Sequence, residues 1–366
     1  MGVKAVVMPG PRRALEVQEF PEPELEDGSV LLETVASEVC GTDVHLHHGR
    51  LPGVPYPIIP GHVSVGRVAE ARGVDRDALG RELRPGDLAT FLDVHGTCHR
   101  CHYCRIAQQP NLCPERRVYG ITLSAEEGLL GGWAERIHLK PGVHVLRLPE
   151  GVGSDQVIGG GCGLVTGFAA LERADLAMGE SVLVQGAGPV GLAAAGLAQL
   201  RGAGRVLVIG APPARLELAE GMGAHETFAL DGTSPAERRE RILELTDGRG
   251  VDVAIEATGN AEAIPEGLNL LRPGGRYVVA GHYTDAGPVE VNPHRALNRK
   301  HVEVRGQWGT ELHHLAGTLR ILARDGEKLP FSRIIGRRYG LDEAGKALQD
   351  VEGLRVTKAV ITPNEA

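Results

Sequence analysis

Spacing sorts the six cysteines of this chain into two groups. Cys98, Cys101, Cys104 and Cys113 follow a C-x2-C-x2-C-x8-C pattern, and four thiolates so close in sequence can close a tetrahedral shell around one ion. That is how structural zinc is held, with no position open to substrate. Cys40 and Cys162 stand far apart in the chain. With His62, in Gly61-His62-Val63, they form a candidate Cys2His set whose fourth position is free for water or substrate, the pattern of catalytic zinc. The competing readings are disulfide pairing, or simple burial of Cys40 and Cys162 as small apolar side chains. Nothing near Met1 resembles a secretory signal, and no apolar run reaches the ~18 residues of a membrane span. The expectation is therefore a cytoplasmic protein with reduced thiols and no membrane association.

Residues 181–191 read Ser-Val-Leu-Val-Gln-Gly-Ala-Gly-Pro-Val-Gly, an apolar strand running into Gly186, Gly188 and Gly191 with G-x-G-x-x-G spacing. An Ala/Leu-rich helix follows to about Leu200, then a second strand, Arg205 to Ile209. In this order, backbone N–H groups and the positive helix end can meet a pyrophosphate, because each glycine lacks the Cβ that would obstruct it. Alternation continues with helix 214–221, helix 234–245 opened by a Ser234/Glu237 capping box, strand 251–257, helix 261–271 and strand 276–280. Strand and helix taking turns implies an α/β doubly wound parallel sheet.

At the tip of the second strand stands Gly210-Ala211-Pro212-Pro213, where an acidic side chain would ordinarily hold the adenosine ribose. The nearest cation is Arg215, which could contact ribose hydroxyls or a 2′-phosphate. The expectation favours NAD over NADP and keeps NADP open. The chain has 366 residues, enough for two domains, and a formal charge of -8 with no basic run, which argues against a nucleic-acid surface.

Five motifs in this order, the cysteine lobe, Cys40-Gly-Thr-Asp-x-His45, Gly61-His62, Gly161-Cys162-Gly-Leu-Val-Thr-Gly167 and the Gly186 turn, resemble the zinc-containing medium-chain alcohol dehydrogenases. The central segment, with Asp247-Gly-Arg-Gly250 and Glu256-Ala-Thr-Gly259, is similar to the threonine and polyol dehydrogenase branch. The resemblance implies a GroES-like catalytic domain over residues 1–155 and 300–366, with a zinc lobe at about 95–115, and an inserted Rossmann domain over 156–299. It implies an active site in the cleft between them and two zinc ions per chain. Cys40, His62 and Cys162 would hold the catalytic ion, and Asp43 would orient the histidine ligand. Thr42 would sit beside the substrate oxygen, and His45 would be the outer member of a proton relay. Thr166 and Val190 would pack the nicotinamide, Lys358 would lie near the pyrophosphate, and segments 280–282 and 307–309 would line the pocket through main-chain groups. His95 would meet the substrate as a pocket wall or merely steady a loop, and most of His47, His48, His99, His102, His313 and His314 are expected at the surface.

The implied reaction moves a hydride between a secondary or cyclic alcohol, or its ketone, and the nicotinamide, with zinc as Lewis acid. A homodimer or homotetramer is implied as well. Many relatives carry Gly-His-Glu where this chain has Gly61-His62-Val63, so the metal site is expected to be one negative charge poorer. That departure leaves an alternative, a zinc- and dinucleotide-binding member with little or no dehydrogenase activity. A third reading, zinc-free alkene or quinone reduction, is disfavoured because all three ligands are present.

Overall fold

The computed structural model describes residues 2–364. The chain divides into two compact units, one of Met1–Gly161, Glu311–Gly326 and Phe331–Ala366, the other of Cys162–Thr310 and Glu327–Pro330.

The second unit is built on six strands in the order Glu226–Ala229, Arg205–Gly210, Ser181–Gln185, Val251–Glu256, Leu271–Val279 and Glu303–Gly306. Every adjacent pair is parallel. The middles of the central strands are apolar because helices cover both faces, and Val182, Leu183, Val184, Val206, Leu207 and Val208 are fully buried. The strand order reverses beside Ser181–Gln185, the position at which doubly wound sheets bind ligands beyond their carboxyl ends. Ser234 caps helix Pro235–Leu245 as expected, its Oγ accepting the Glu237 N–H at 3.2 Å while the Glu237 carboxylate accepts the Ser234 N–H at 2.8 Å.

Two strands have no counterpart among the expected elements. Glu226–Ala229 and Glu303–Gly306 are the sheet's edges, short and largely uncovered, so they carry no apolar run to betray them. The last edge also moves a boundary: residues 300–310 belong to the second unit, where Glu303–Gly306 pairs with Leu271–Val279, rather than to the first.

In the first unit the long strand Val30–Val39 is the hub. It pairs antiparallel with Ser64–Ala71, Arg136–Leu139 and, from the far end of the chain, Lys358–Ile361. One core, including Leu32, Phe91, Tyr119 and Ile137, fills one part of this sheet; another, including Val39, Trp133, Tyr339 and Ile361, closes the part nearest Cys40. Register opposes Ala359 to Val39 and Val360 to Glu38, so the chain's return brings Lys358 to the Cys40 end of the hub strand.

The turn glycines of the second unit divide by what surrounds them. A Cβ on Gly191 would lie 1.8 Å from the Gly186 carbonyl oxygen, whereas a Cβ on Gly188 would meet nothing within 4 Å. Gly191→Ala should therefore destabilise this unit by about 1–3 kcal/mol, read as a lowered midpoint in denaturant unfolding, while Gly188→Ala should leave the midpoint in place.

Candidate metal centres and nucleotide cradle

The four-cysteine segment is a small lobe between the paired strands Val94–His95 and Arg117–Val118, with one short helix, His102–Arg105. Cys98, Cys101, Cys104 and Cys113 turn inward together, their sulfurs all within 4.8 Å of one another. A tetrahedral zinc–thiolate shell needs sulfur separations of about 3.8 Å, so the set is of the right size. Backbone donors support the sulfurs: the Cys98 N–H reaches Cys113 Sγ and the Cys101 N–H reaches Cys98 Sγ, each at 3.3 Å. The N–H of Arg100, foremost among such donors, pulls the Cys98 thiol down to about 6. Burial, together with the neighbouring thiols, pushes Cys104 up to about 12. Four sulfurs this close cannot all ionise without a cation among them, which is the donor chemistry of a zinc site.

The second group is assembled from three separate places in the chain. Cys40 is the N-cap of helix Gly41–His47; its Sγ accepts the Thr42 N–H at 3.3 Å, and Asp43 Oδ2 accepts the Cys40 N–H at 2.9 Å. His62 follows Gly61, whose φ of +90° only glycine adopts readily and whose missing Cβ would fall 2.5 Å from Ser37 Oγ. Gly120 crosses so near that its own Cβ would come within 2.8 Å of the His62 nitrogen. The His62 ring is thus carried on tightly crossed backbone, its Nε2 facing Cys40 Sγ at 3.9 Å. Cys162 directly follows Gly161, where φ 52° and ψ -148° interrupt the helical stretch Ser154–Ala174 and turn the chain.

Glu38, Cys40, His62 and Cys162 each offer one ligand atom, all within 4.8 Å of one another. Glu38 was absent from the expected set. Its carboxylate is wholly buried, with Oε1 3.4 Å from His62 Nε2 and Oε2 2.5 Å from Lys358 Nζ. Val63 brings no carboxylate to this place, but Glu38 does. Glu38 lies on the strand beside position 63, its N–H donating to the Val63 carbonyl at 3.0 Å. Lys358 is 1% exposed and pairs with Glu38. For Lys358 the sequence signal was a charge opening the otherwise apolar strand Lys358–Ile361; Glu38 shares the strand Val30–Val39 with Glu33, Thr34 and Ser37, so its burial carried no such mark.

Electrostatics fit a cation here. Burial alone opposes a charge on His62, yet the Cys40 thiolate and the carboxylates of Glu38 and Asp43 hold its pKa well above the ordinary value. Burial, then Cys40, also raises Asp43 well above the carboxylate range. Protons are drawn to this cluster because it is rich in anions and poor in water. Among the described residues neither His62 Nδ1 nor Asp43 Oδ1 has a hydrogen-bond partner, so the expected Asp43–His62 bond is not formed, and Asp43 instead fixes the Cys40 backbone. His45 lies one helical turn on from Thr42; burial, then the charge of Arg50, lowers its pKa, with Arg50 Nη1 3.4 Å from Nδ1. His95 packs edge-on to Tyr119 and is also lowered, chiefly by burial. His314 is buried rather than on the surface, its Nδ1 accepting the Glu311 N–H that opens helix Leu312–Asp325.

In the second unit, Gly188 is the N-cap of helix Pro189–Leu200, and the space a side chain would occupy is open. Gly163 and Gly167 let the helical stretch bearing Thr166 approach this helix, since their Cβ atoms would lie 2.6 Å from Pro189 and 2.9 Å from the Ala194 nitrogen. Thr166 and Val190 are half-buried. Gly210 packs on Ala187 of the glycine turn, where a Cβ would meet the Ala187 side chain at 2.7 Å. Arg215 is half-buried in the first turn of helix Pro213–Gly221, its pKa lowered by burial. The wholly buried Glu256 carboxylate accepts N–H groups of Thr258 at 2.6 Å, Gly259 at 2.7 Å and Gly281 at 3.0 Å, tying together two loops at the sheet's carboxyl edge. Beside them the Gln307 N–H donates to the Val279 carbonyl at 2.9 Å, fixing the start of segment 307–309. Open glycine backbone at a helix N-terminus, next to ordered loops, is what a dinucleotide requires.

Comparison with known proteins agrees with both halves. Residues 26–150 match the alcohol dehydrogenase GroES-like domain and residues 189–324 the zinc-binding dehydrogenase domain. The chain is 33% identical over 360 residues to 5-exo-hydroxycamphor dehydrogenase of Pseudomonas putida, covering 98% of each. It is 30% identical over 347 residues to L-threonine 3-dehydrogenase of Anaeromyxobacter sp. (strain K), covering 94% of this chain and 93% of that one. The crystal structure of an alcohol dehydrogenase from Thermotoga maritima superposes with a TM-score of 0.95 at 37% identity, over 100% of both chains. No helix among the described residues is long and apolar enough to cross a membrane. The metal-ligand clusters, the glycine cradle and these likenesses lead to one conclusion: the chain belongs to the zinc-containing medium-chain alcohol dehydrogenase family and is an oxidoreductase acting on alcohols.

Proposed function

We propose that the protein transfers a hydride between a secondary or cyclic alcohol, or the corresponding ketone, and NAD, with NADP as the lesser cofactor. The observation that carries this is the convergence of Cys40, His62 and Cys162, with ligand atoms within 4.8 Å despite their wide separation in sequence. Zinc held by those residues supplies Lewis-acid polarisation of the substrate oxygen. The chain supplies the rest. Thr42, whose backbone is fixed by Cys40, takes the proton from the substrate hydroxyl, and His45 passes it towards solvent. A lowered pKa keeps His45 neutral and able to accept that proton near neutrality.

Gly186, Gly188 and Gly191 hold the pyrophosphate, with Thr166 and Val190 against the nicotinamide and Gly210 and Arg215 towards the ribose. The lack of an acid at Gly210 is compatible with either cofactor. Substrate class draws support from the two relatives named above, whose names each specify a secondary alcohol, one of them on a ring. The second zinc belongs to Cys98, Cys101, Cys104 and Cys113, where it holds the lobe closed. A cytoplasmic setting suits cysteines that form no disulfide among the described residues, and pairing through the open edge Glu303–Gly306, with Val304 50% exposed, suits a homodimer or homotetramer.

Three measurements test this reading. Cys162→Ala should lose one of two zinc ions per chain by elemental analysis and abolish turnover while NAD affinity persists; Cys101→Ala should lose the other ion and lower the unfolding midpoint. Retention of both ions in either variant would reject the assignment at that position. For proton transfer, the kcat for alcohol oxidation should rise with pH through a midpoint below the ordinary imidazole value of about 6.5. Arg50→Gln should move that midpoint upward, because removing a neighbouring positive charge makes His45 easier to protonate, and His45→Gln should remove the limb altogether. A midpoint indifferent to both changes would take His45 out of the relay.

A further inference from the structure

We infer that Glu38 is a fourth, exchangeable ligand of the ion held by Cys40, His62 and Cys162, and that Lys358 is the positioning residue that holds its second oxygen. The inference rests on the metal assignment of the preceding subsection. Glu38 Oε1 faces His62 Nε2 at 3.4 Å, the same ring nitrogen that faces Cys40 Sγ at 3.9 Å. The carboxylate therefore shares the point on which the other ligand atoms converge, and all four lie within 4.8 Å of one another. Oε2 is taken by Lys358 Nζ at 2.5 Å.

The side chain has little freedom to be elsewhere. Glu38 is fixed at its backbone by the Val63 carbonyl and by Trp133, whose Nε1–H donates to the Glu38 carbonyl at 3.0 Å. Gly161 lies against the ion pair, and a Cβ there would fall 1.9 Å from Glu38 Oε2 and 2.6 Å from Lys358 Nζ. The residue before Cys162 is thereby fitted to the pair, so the pair and the third ligand share one constraint. With Glu38 wholly buried and Lys358 1% exposed, neither charge can be satisfied by water.

The two oxygens have separate tasks. Lys358 neutralises one and keeps the carboxylate from becoming a permanent ligand; the other closes the fourth position when no substrate oxygen fills it and yields when one arrives. The carboxylate missing at Val63 is thus supplied across the strand pairing, from position 38.

The test uses the full protein with zinc at the four-cysteine set and cobalt(II) at the second set, read by the cobalt visible bands and by competition with a chelator. Glu38→Gln should change the substrate-free bands and weaken metal binding at the second set by about ten- to a hundredfold, with the four-cysteine ion retained. Lys358→Met should keep the carboxylate-bound bands while azide displaces them about tenfold less readily. If Glu38→Gln fails to fold, the double variant Glu38→Gln/Lys358→Met removes both buried charges and carries the same expectation for the bands. Unchanged bands in a folded variant, with or without weaker binding, overturn the ligand role, and unchanged azide displacement in Lys358→Met overturns the positioning role. A wild-type protein that binds one ion per chain would instead reject the metal assignment beneath both.

Discussion

Negative charge is concentrated around Cys40 where water scarcely reaches, and much of the first unit is arranged to make that tolerable. Glu38, Asp43 and the Cys40 thiol lie within one short stretch of chain, and all three are buried. An isolated charge in such a place would cost several kcal/mol. Lys358 neutralises one carboxylate, a proton is favoured on Asp43 by burial, and a divalent cation suits the remaining donors. Function and stability would be tied together there, because an ion bound by these groups would polarise a substrate and also offset their mutual repulsion.

This constraint explains the topology around the site. The hub strand Val30–Val39 carries Glu38 and delivers Cys40 at its end; its neighbour Ser64–Ala71 follows directly from His62; Lys358–Ile361 returns from the far end of the chain to supply the lysine. A sheet is well suited to this, since register fixes which side chains meet to within a fraction of a residue. Where helices or loops meet the strands, glycines at Gly61, Gly120 and Gly161 remove the Cβ atoms that would hold the backbones apart. The second unit follows the same logic with fewer charges: Gly191 and Gly210 close the packing of the turn, while Gly188 leaves a space.

Much of this was legible in the residues. The cysteine spacings, the glycine turn and the capping box at Ser234 are local patterns, in which chemistry and geometry are set within a few positions, and the structure forms each of them. The edge strands Glu226–Ala229 and Glu303–Gly306 were not legible, because a strand with one side open carries no hydrophobic run. His314 looked like a surface residue and proved to cap its own helix, a role that depends on how Leu312–Asp325 packs.

By itself the sequence determined which atoms could bind zinc and dinucleotide, and the alternation that makes a parallel sheet, since these follow from residue type and short-range spacing. Only the tertiary structure decided that Lys358 pairs with Glu38, and that the Glu38 carboxylate joins Cys40, His62 and Cys162. Glu38 and Lys358 are 320 residues apart. No local pattern encodes their meeting; it is set by the antiparallel register of two strands and by the need to neutralise buried charge.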